Sequence, residues 1–232
     1  MEKNRITKRW LKNHFTYSWW KYLLLIVLSV LGVNLIFTTT EYRPPEEKKI
    51  ELYVCNGYAD VVGMKETLWP LFLQCSPDQE ELTVLNIDLV SGDIYASMQF
   101  STYAAAQQGD ILLMPVGEIQ KLTADGANYA FADLTPYIES GVLDVADIDL
   151  SAGVMADENG GKGIYAIPAD TLYGLLDWGN DPAQSMIGVT AYSGNEENAV
   201  KFLNLLIQQC ATEKPEGYEP QTGRSTATSI FN

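Results

Sequence analysis

Gln108-Gly-Asp-Ile-Leu-Leu-Met-Pro115 decides the fold class. Ile111 to Met114 are uniformly apolar, too few for a helix, and stopped by Pro115, as in a strand covered on both faces. Working outward toward the N-terminus, Ile50-Glu-Leu-Tyr-Val54 alternates and is bounded by Asn56-Gly57, and Leu82-Thr-Val-Leu-Asn-Ile87 reads as a second strand. Between these two, from Ala59 to about Cys75, Val62, Leu68, Leu71 and Phe72 fall at helical spacing, with Pro70 placed to bend or divide the helix. Asp93 is suited to cap another helix from Ile94 to about Gln107, ended by Gly109. This order of strand, helix, strand, helix, strand predicts an α/β layer with a mainly parallel sheet and flanking helices.

Working outward toward the C-terminus, Val116 to Leu122 and Thr135-Pro-Tyr-Ile-Glu139 read as short helices, the latter with proline at its start. Asp157-Glu-Asn-Gly-Gly-Lys-Gly163 suits a hairpin turn, Tyr165-Ala-Ile-Pro168 a strand edge, and Met186-Ile-Gly-Val-Thr190 a further strand. Ser193-Gly-Asn-Glu196 matches a capping box, opening a helix that buries Ala199, Phe202, Leu203, Leu206 and Cys210. Trp69, Phe72, Phe100, Tyr103 and Phe202 fall on helical faces and are expected in the core. Trp178, among Asp177, Gly179 and Asn180, has two readings: an exposed anchor for a partner, or a ring folded back over the sheet edge. Residues 212–232, with two prolines, two glycines and several Ser/Thr, are expected to be disordered.

The charge is strongly asymmetric. Residues 1–21 carry six basic residues against Glu2, a net +5, while the rest of this 232-residue chain is −20. Tyr22 to Phe37 is free of charge, and Thr38 to Thr40 with the Trp19-Trp20 pair extend it to the roughly 20 residues a bilayer requires. The expected organisation is a cytoplasmic basic head (1–21), a transmembrane signal-anchor helix (22–40), a Pro-rich stalk (41–49), an extracytoplasmic α/β domain (50–211) and the tail. Bases on one flank only place the N-terminus in the cytoplasm and the domain outside, in a single-pass cell-membrane protein. A cleaved signal would have a shorter basic region and a small-x-small site, neither present near Asn34-Leu-Ile-Phe-Thr38, and no cysteine follows the span to take a lipid.

An acidic body repels phosphate backbones, so nucleic acid is not an expected partner. Three cysteines, Cys55, Cys75 and Cys210, leave at least one thiol unpaired in a monomer. A Cys75–Cys210 bridge is conceivable, but three small buried residues are the simpler expectation. The sole histidine, His14, lies in the basic head, and no nucleophile elbow, Walker loop or metal-type spacing follows it. No enzyme activity, cofactor or metal is expected. Asp144, Asp147, Asp149, Asp157 and Glu158 lack calcium-loop spacing and read as caps and solvated acids.

Four segments carry a resemblance. Gln108 to Met114 after an Ala-rich helix, Phe131-Ala-Asp-Leu-Thr-Pro-Tyr-Ile-Glu139, Gly163-Ile-Tyr-Ala-Ile-Pro168 and Val189 to Leu203 are similar, in order, to segments of the extracellular solute-binding proteins of bacterial ABC importers, the maltose-binding-like family. The resemblance implies one lobe of a periplasmic-binding-protein-like fold. It also implies solute capture, a sugar among the candidates, beside an importer permease or another membrane protein. The departure is large: only Asp170 to Ser185 stand where the family carries a second lobe, and closing two lobes is what encloses a solute. A single lobe that has lost its cleft and acts by protein contact is therefore the alternative.

Ligand crevices of open α/β sheets lie beyond the carboxyl ends of the strands. On that rule the candidate ligand-binding residues are Asn56, Tyr58 and Asp60 after the first strand, and Asp170 and Tyr173 after Pro168. The tyrosines would stack on a sugar face and the polar side chains would bond its hydroxyls. The competing roles are a turn at Asn56, a helix cap at Asp60 and packing for the rings.

Overall fold

The alternation of Ile50, Leu52 and Val54 with Glu51 and Tyr53 becomes an inner strand, β1 (Lys49–Val54), of a five-stranded sheet, in a computed structural model that describes residues 8–40, 42–145 and 147–220. β2 (Glu81–Asn86) and β3 (Ile111–Pro115) flank β1 in parallel, with Leu52 in register with Val84 and Ile111. With β6 (Ile167–Pro168) and β7 (Ser185–Val189) beyond β3, the sheet order is β2-β1-β3-β7-β6. Helices α2 (Val61–Cys75) and α3 (Ile94–Ala105) connect the first three strands, and α4 (Val116–Leu122) follows β3. After the short helix α5 (Thr135–Glu139), a separate ribbon of β4 (Val154–Ala156) and β5 (Lys162–Ile164) precedes β6 (Ile167–Pro168), β7 (Ser185–Val189) and the last helix, α6 (Glu196–Cys210).

The sheet is mixed, which corrects the expectation of a mainly parallel one. β7 runs antiparallel to both neighbours, with Leu113 opposite Ile187 and Pro168 opposite Met186. The reason is the connection. Parallel neighbours need a crossover of a dozen or more residues, usually a helix lying on the sheet, whereas antiparallel neighbours do not. Such crossovers join the first three strands. Between β6 and β7 the chain makes only a 3-10 helix, Tyr173–Trp178, and turns back.

Two apolar layers fill the faces. On one, Ile50, Leu52 and Val54 meet Leu68 and Phe72 of α2 and Phe202, Leu203 and Leu206 of α6. Phe72 and Phe202 are fully buried and pack edge to face, 5.1 Å between centroids. On the other, Tyr53, Leu112 and Phe131 lie beneath Ile119 of α4 and the half-buried Phe100 and Tyr103 of α3. The expected core aromatics thus all pack against one layer or the other.

The capping box at 193–196 does not form. Ser193 Oγ donates to Asp110 Oδ1 at 2.6 Å, and Asn195, at the cap position of α6, makes no side-chain cap. Asp110 is buried at the start of β3, also accepts from the Glu51 amide, and is held above the usual carboxylate range chiefly by desolvation. A buried carboxylate without those two donors would be costly, so the Ser193 hydroxyl is held on Asp110, and in that position its oxygen accepts from the Asn195 amide rather than from that of Glu196. Of the acids in the 144–158 stretch, Asp149 caps the 3-10 helix Leu150–Gly153 by accepting from the Ser151 amide, and Asp157 accepts from the Asn159 and Gly161 amides in the turn of the β4–β5 ribbon. The Pro-rich stretch is not extended throughout, because Glu46–Lys48 forms a 3-10 helix tied down by Lys48 to Glu80 and by Gln79 to the Glu47 carbonyl. No cysteine is bridged. Cys55 and Cys210 are buried, their thiols pushed up to about 12 mainly by burial, but Cys75 is exposed, contrary to the expectation of three buried residues.

The chain divides into two units, 1–43 and 44–232. In the first, α1 (Lys8–Thr40) contains an apolar stretch, Ser18–Thr40, of mean hydropathy 2.2. At 1.5 Å per residue its 23 residues are long enough to cross a hydrocarbon core of about 30 Å. Thr38, Thr39 and Thr40 hydroxyls bond back to the carbonyls of Asn34, Leu35 and Ile36, which lets these polar residues lengthen an apolar helix without unpaired donors. An anchor and an export signal share this pattern. Residues 1–7 of the expected basic head lie outside the described residues, as do 221–232 of the expected tail.

Candidate functional site

The carboxyl ends of β1, β2, β3 and β6 and the start of β7 share one edge of the sheet. Each of the five candidate residues sits on this rim, but the rim is not an open cleft. Residues 170–185 lie across it.

Asn56, directly after β1, is buried and turned into the protein. Its Nδ2 donates to the Asp181 carbonyl at 3.0 Å and to Ser185 Oγ at 2.9 Å, and its Oδ1 accepts from Asn180 Nδ2 at 2.8 Å. Asn180, fully buried, also donates to the Tyr58 carbonyl, while its own Oδ1 has no hydrogen-bond partner among the described residues. Asp60 caps α2 by accepting from the Gly63 amide at 3.1 Å, and its backbone N–H donates to the Trp178 carbonyl at 2.8 Å. Asp170 accepts from the Gln184 amide at 2.8 Å. Tyr173 packs edge to face on Tyr218, 5.4 Å between centroids. Tyr58 presents its ring to solvent, 63% exposed and set against Gly179, and Asp60 and Asp170 are exposed as well.

The structure therefore brings Asn56, Tyr58 and Asp60 together on one strip, residues 178–181, and places Asp170 and Tyr173 near the start of the same covering segment, with Asp170 bonded to Gln184 near its end. Trp178 takes the folded-back reading: it is half-buried and packed on the first-face core.

Four residues that complete the arrangement were not among the candidates. Asn86, at the end of β2, donates to the carbonyls of Val54 (3.0 Å) and Gly57 (2.5 Å) and so braces the loop after β1. Asn180 and Asp181 sit in Gly179-Asn-Asp-Pro182, a cluster that signals a turn but not what the turn covers. Tyr218 donates to Asp181 Oδ1 at 2.5 Å and carries Lys214 Nζ over its ring at 5.7 Å. It lies within the segment expected to be disordered, and a lone aromatic in a polar stretch was the available signal.

Burial first, then the bond to the Asp181 carboxylate and its charge, push the Tyr218 phenol above its ordinary value of 10. The sign follows. A group whose folded pKa is raised adds stability in full below the unfolded value and loses it as the pH climbs through the folded one. Tyr218→Phe is therefore expected to cost about 1 kcal/mol at neutral pH, the worth of one partly exposed hydrogen bond. The gap to wild type should close above pH 10. Urea midpoints of both proteins at pH 7 and pH 10.5 check this, and a gap that widens with pH contradicts it.

No family model and no curated protein matches the sequence. Among solved structures, the chain is similar to an extracellular solute-binding protein family 1 member from Alicyclobacillus acidocaldarius, with TM-score 0.38 and 15% identity over 55% of this chain and 29% of that one. It is also similar to the maltose-bound MalE3 of T. maritima, with TM-score 0.32 and 20% identity over 57% of this chain and 33% of that one. The chain spans no more than about a third of the length of either protein.

Proposed function

We propose that this protein is a membrane-anchored, extracytoplasmic lobe of the solute-binding type whose crevice is closed by its own chain, so that it acts by contacting another protein. The partner class is an ABC importer permease or another membrane protein. One observation supports this most: three side-chain hydrogen bonds of Asn56, the residue best placed to meet a ligand at the end of β1, go to residues 180–185 of the same chain. The four sequence segments that resemble the solute-binding family fall on β3, the stretch around α5, β5 to β6, and β7 to α6, which supports the lobe. The apolar stretch of α1 and the one-sided basic flank support the anchor with the N-terminus inside.

Capture of a sugar or other small solute is the second reading. It is favoured by the exposed ring of Tyr58 beside the exposed Asp60. On this reading Asn56 and Tyr173 would have to leave their present partners to reach the solute.

A thermal-shift series on the full-length protein in detergent separates the two. A ligand at a hundred times its Kd stabilises by about 2.7 kcal/mol, which is roughly 5–11 °C for a domain of this size. Sugars, oligosaccharides and peptides are each expected to shift the midpoint by less than about 1 °C, well under that yardstick. A shift of several degrees with any one of them would overturn the closed-rim reading. A photoreactive group at Tyr58 is expected to cross-link a defined membrane protein in intact cells. Protease added to those cells should degrade the domain, and a protected domain would refute the topology.

A further inference from the structure

On the second face of the sheet, at the end opposite the rim, lies a hollow of about 210 Å³. Its floor is the buried Leu112, near the start of β3 and opposite Gly188 near the end of β7. Phe100 and Ala104 of α3, Leu122 of α4 and Tyr192 stand half-buried around it, and Tyr129, 61% exposed, forms the lip. None of these side chains carries a charge, and three are aromatic. The charge lies just outside. The Tyr129 hydroxyl donates to Glu158, and that bond, then the Glu158 charge and more weakly that of Asp125, hold the phenol above its ordinary value. The Tyr192 phenol is raised chiefly by desolvation and next by the charge of Asp110. Lys121, the base adjoining Leu122, is taken up by Glu118 at 2.7 Å.

We propose that this hollow binds a small solute bearing a quaternary ammonium group, with the methylated head among Phe100, Tyr129 and Tyr192. A metal ion, or a cation that keeps N–H donors, needs oxygen ligands to replace its water. The hollow offers an apolar floor and two phenols, one of them committed to Glu158. A quaternary head has no N–H to satisfy, and its diffuse charge is held by aromatic rings within about 6 Å. The volume suffices, since an apolar cavity of about 150 Å³ admits a benzene ring. The carboxylate at the lip and a body of net −20 draw in a cation and repel an anion. The same charge turns away a phospholipid headgroup, whose phosphate would meet Glu158, so the source is a free solute. A neutral apolar molecule would gain nothing from the acids. The hollow is distinct from the residue 170–185 rim, and the inference stands whether or not the rim binds a partner.

Titrations of the full-length protein in non-ionic detergent, read by saturation transfer from protein to ligand protons, test this. Tetramethylammonium and choline are expected to bind saturably and to compete with each other. The neutral analogue of choline, in which a tert-butyl group replaces the trimethylammonium, keeps the shape without the charge. Ethanolamine keeps a charge without the methyl groups. Each is expected to bind about tenfold more weakly than choline. Phosphocholine should also bind more weakly, since its phosphate meets the acids. Tyr129→Leu, on an exposed lip that does not hold the core, is expected to lower choline affinity about tenfold, while Tyr129→Phe, which keeps the ring, retains most of it. Glu158→Gln should weaken choline and leave the neutral analogue unchanged. The proposal is overturned if neither quaternary probe binds saturably, or if the neutral analogue binds as tightly as choline. A Tyr129→Leu protein with wild-type affinity would place any binding elsewhere and overturn it too, and phosphocholine as tight as choline would overturn the free solute as the source.

Discussion

Asn56→Ala is expected to destabilise the protein by about 3 kcal/mol and to release the segment from 178 to 185 before the rest of the domain unfolds. The figure follows from what the alanine leaves behind. The Asp181 carbonyl, Ser185 Oγ and Asn180 Nδ2 each lose a partner at 2.8–3.0 Å, in a place with no exposed surface at Asn180 and almost none at Asn56 or Ser185. A buried polar group stripped of its partner costs about 1–3 kcal/mol. Three such losses would sum higher, but Asn180 keeps its bond to the Tyr58 carbonyl and Ser185 Oγ keeps the Ala183 carbonyl, so the low end applies. The midpoint of thermal unfolding should fall by roughly 6–12 °C. Loss of a helix cap alone, as in Asp60→Ala, should cost only about 1 kcal/mol. Hydrogen exchange gives the local readout: amides of 178–185 should exchange faster in the variant, while those of β1 and β3 change only with global stability. A fall below about 2 °C with unchanged exchange would mean that the network does not hold the rim closed. If the closed rim is the working surface, the same variant should lose its membrane partner.

The first three strands were legible because their signals are local. Alternation in Ile50–Val54 and an unbroken apolar run in Ile111–Met114 are properties of four or five neighbouring residues, and the intervening helices supply the crossovers that make the pairing parallel. The direction of β7 was not legible in this way. Ser185–Val189 is buried at every position and would suit either direction, and what fixed it was the absence of a crossover helix between β6 and β7. Ser193 shows the same limit at one residue. Its spacing to Glu196 fits a capping box, but the hydroxyl goes to Asp110, 83 residues away, a competitor no local window contains. The candidate site divides along the same line. The rule that ligands gather beyond the carboxyl ends of strands brought Asn56, Tyr58, Asp60, Asp170 and Tyr173 onto one edge. That the chain's own 170–185 segment occupies that edge depends on contacts between residues more than a hundred positions apart.

Gly174→Val bears on the same closure from the opposite side and is expected to cost about 3 kcal/mol, with alanine at about 2, within the range for overfilling a packed site. A β-carbon at position 174 would stand 2.7 Å from Cys210 Cα and 3.0 Å from the Gln209 carbonyl oxygen. Both are backbone atoms near the end of α6, so no rotamer change makes room. Either the 3-10 helix Tyr173–Trp178 lifts or the last turn of α6 yields. The turn of α6 is the stiffer of the two, because Phe202, Leu206 and Cys210 on the same helix are fully buried. The 3-10 helix should therefore move, and with it the Trp178 carbonyl that accepts from Asp60 and the Asn180 side chain that meets Asn56. Two measurements distinguish this from a general loss of packing. The urea midpoint should drop while the m-value stays that of wild type, as expected when the native state is destabilised without a change in the surface exposed on unfolding. Limited proteolysis should cut first between 173 and 185. A valine variant with the wild-type midpoint would show that the covering segment does not rest on α6 through Gly174, and the rim would then need another support to stay closed.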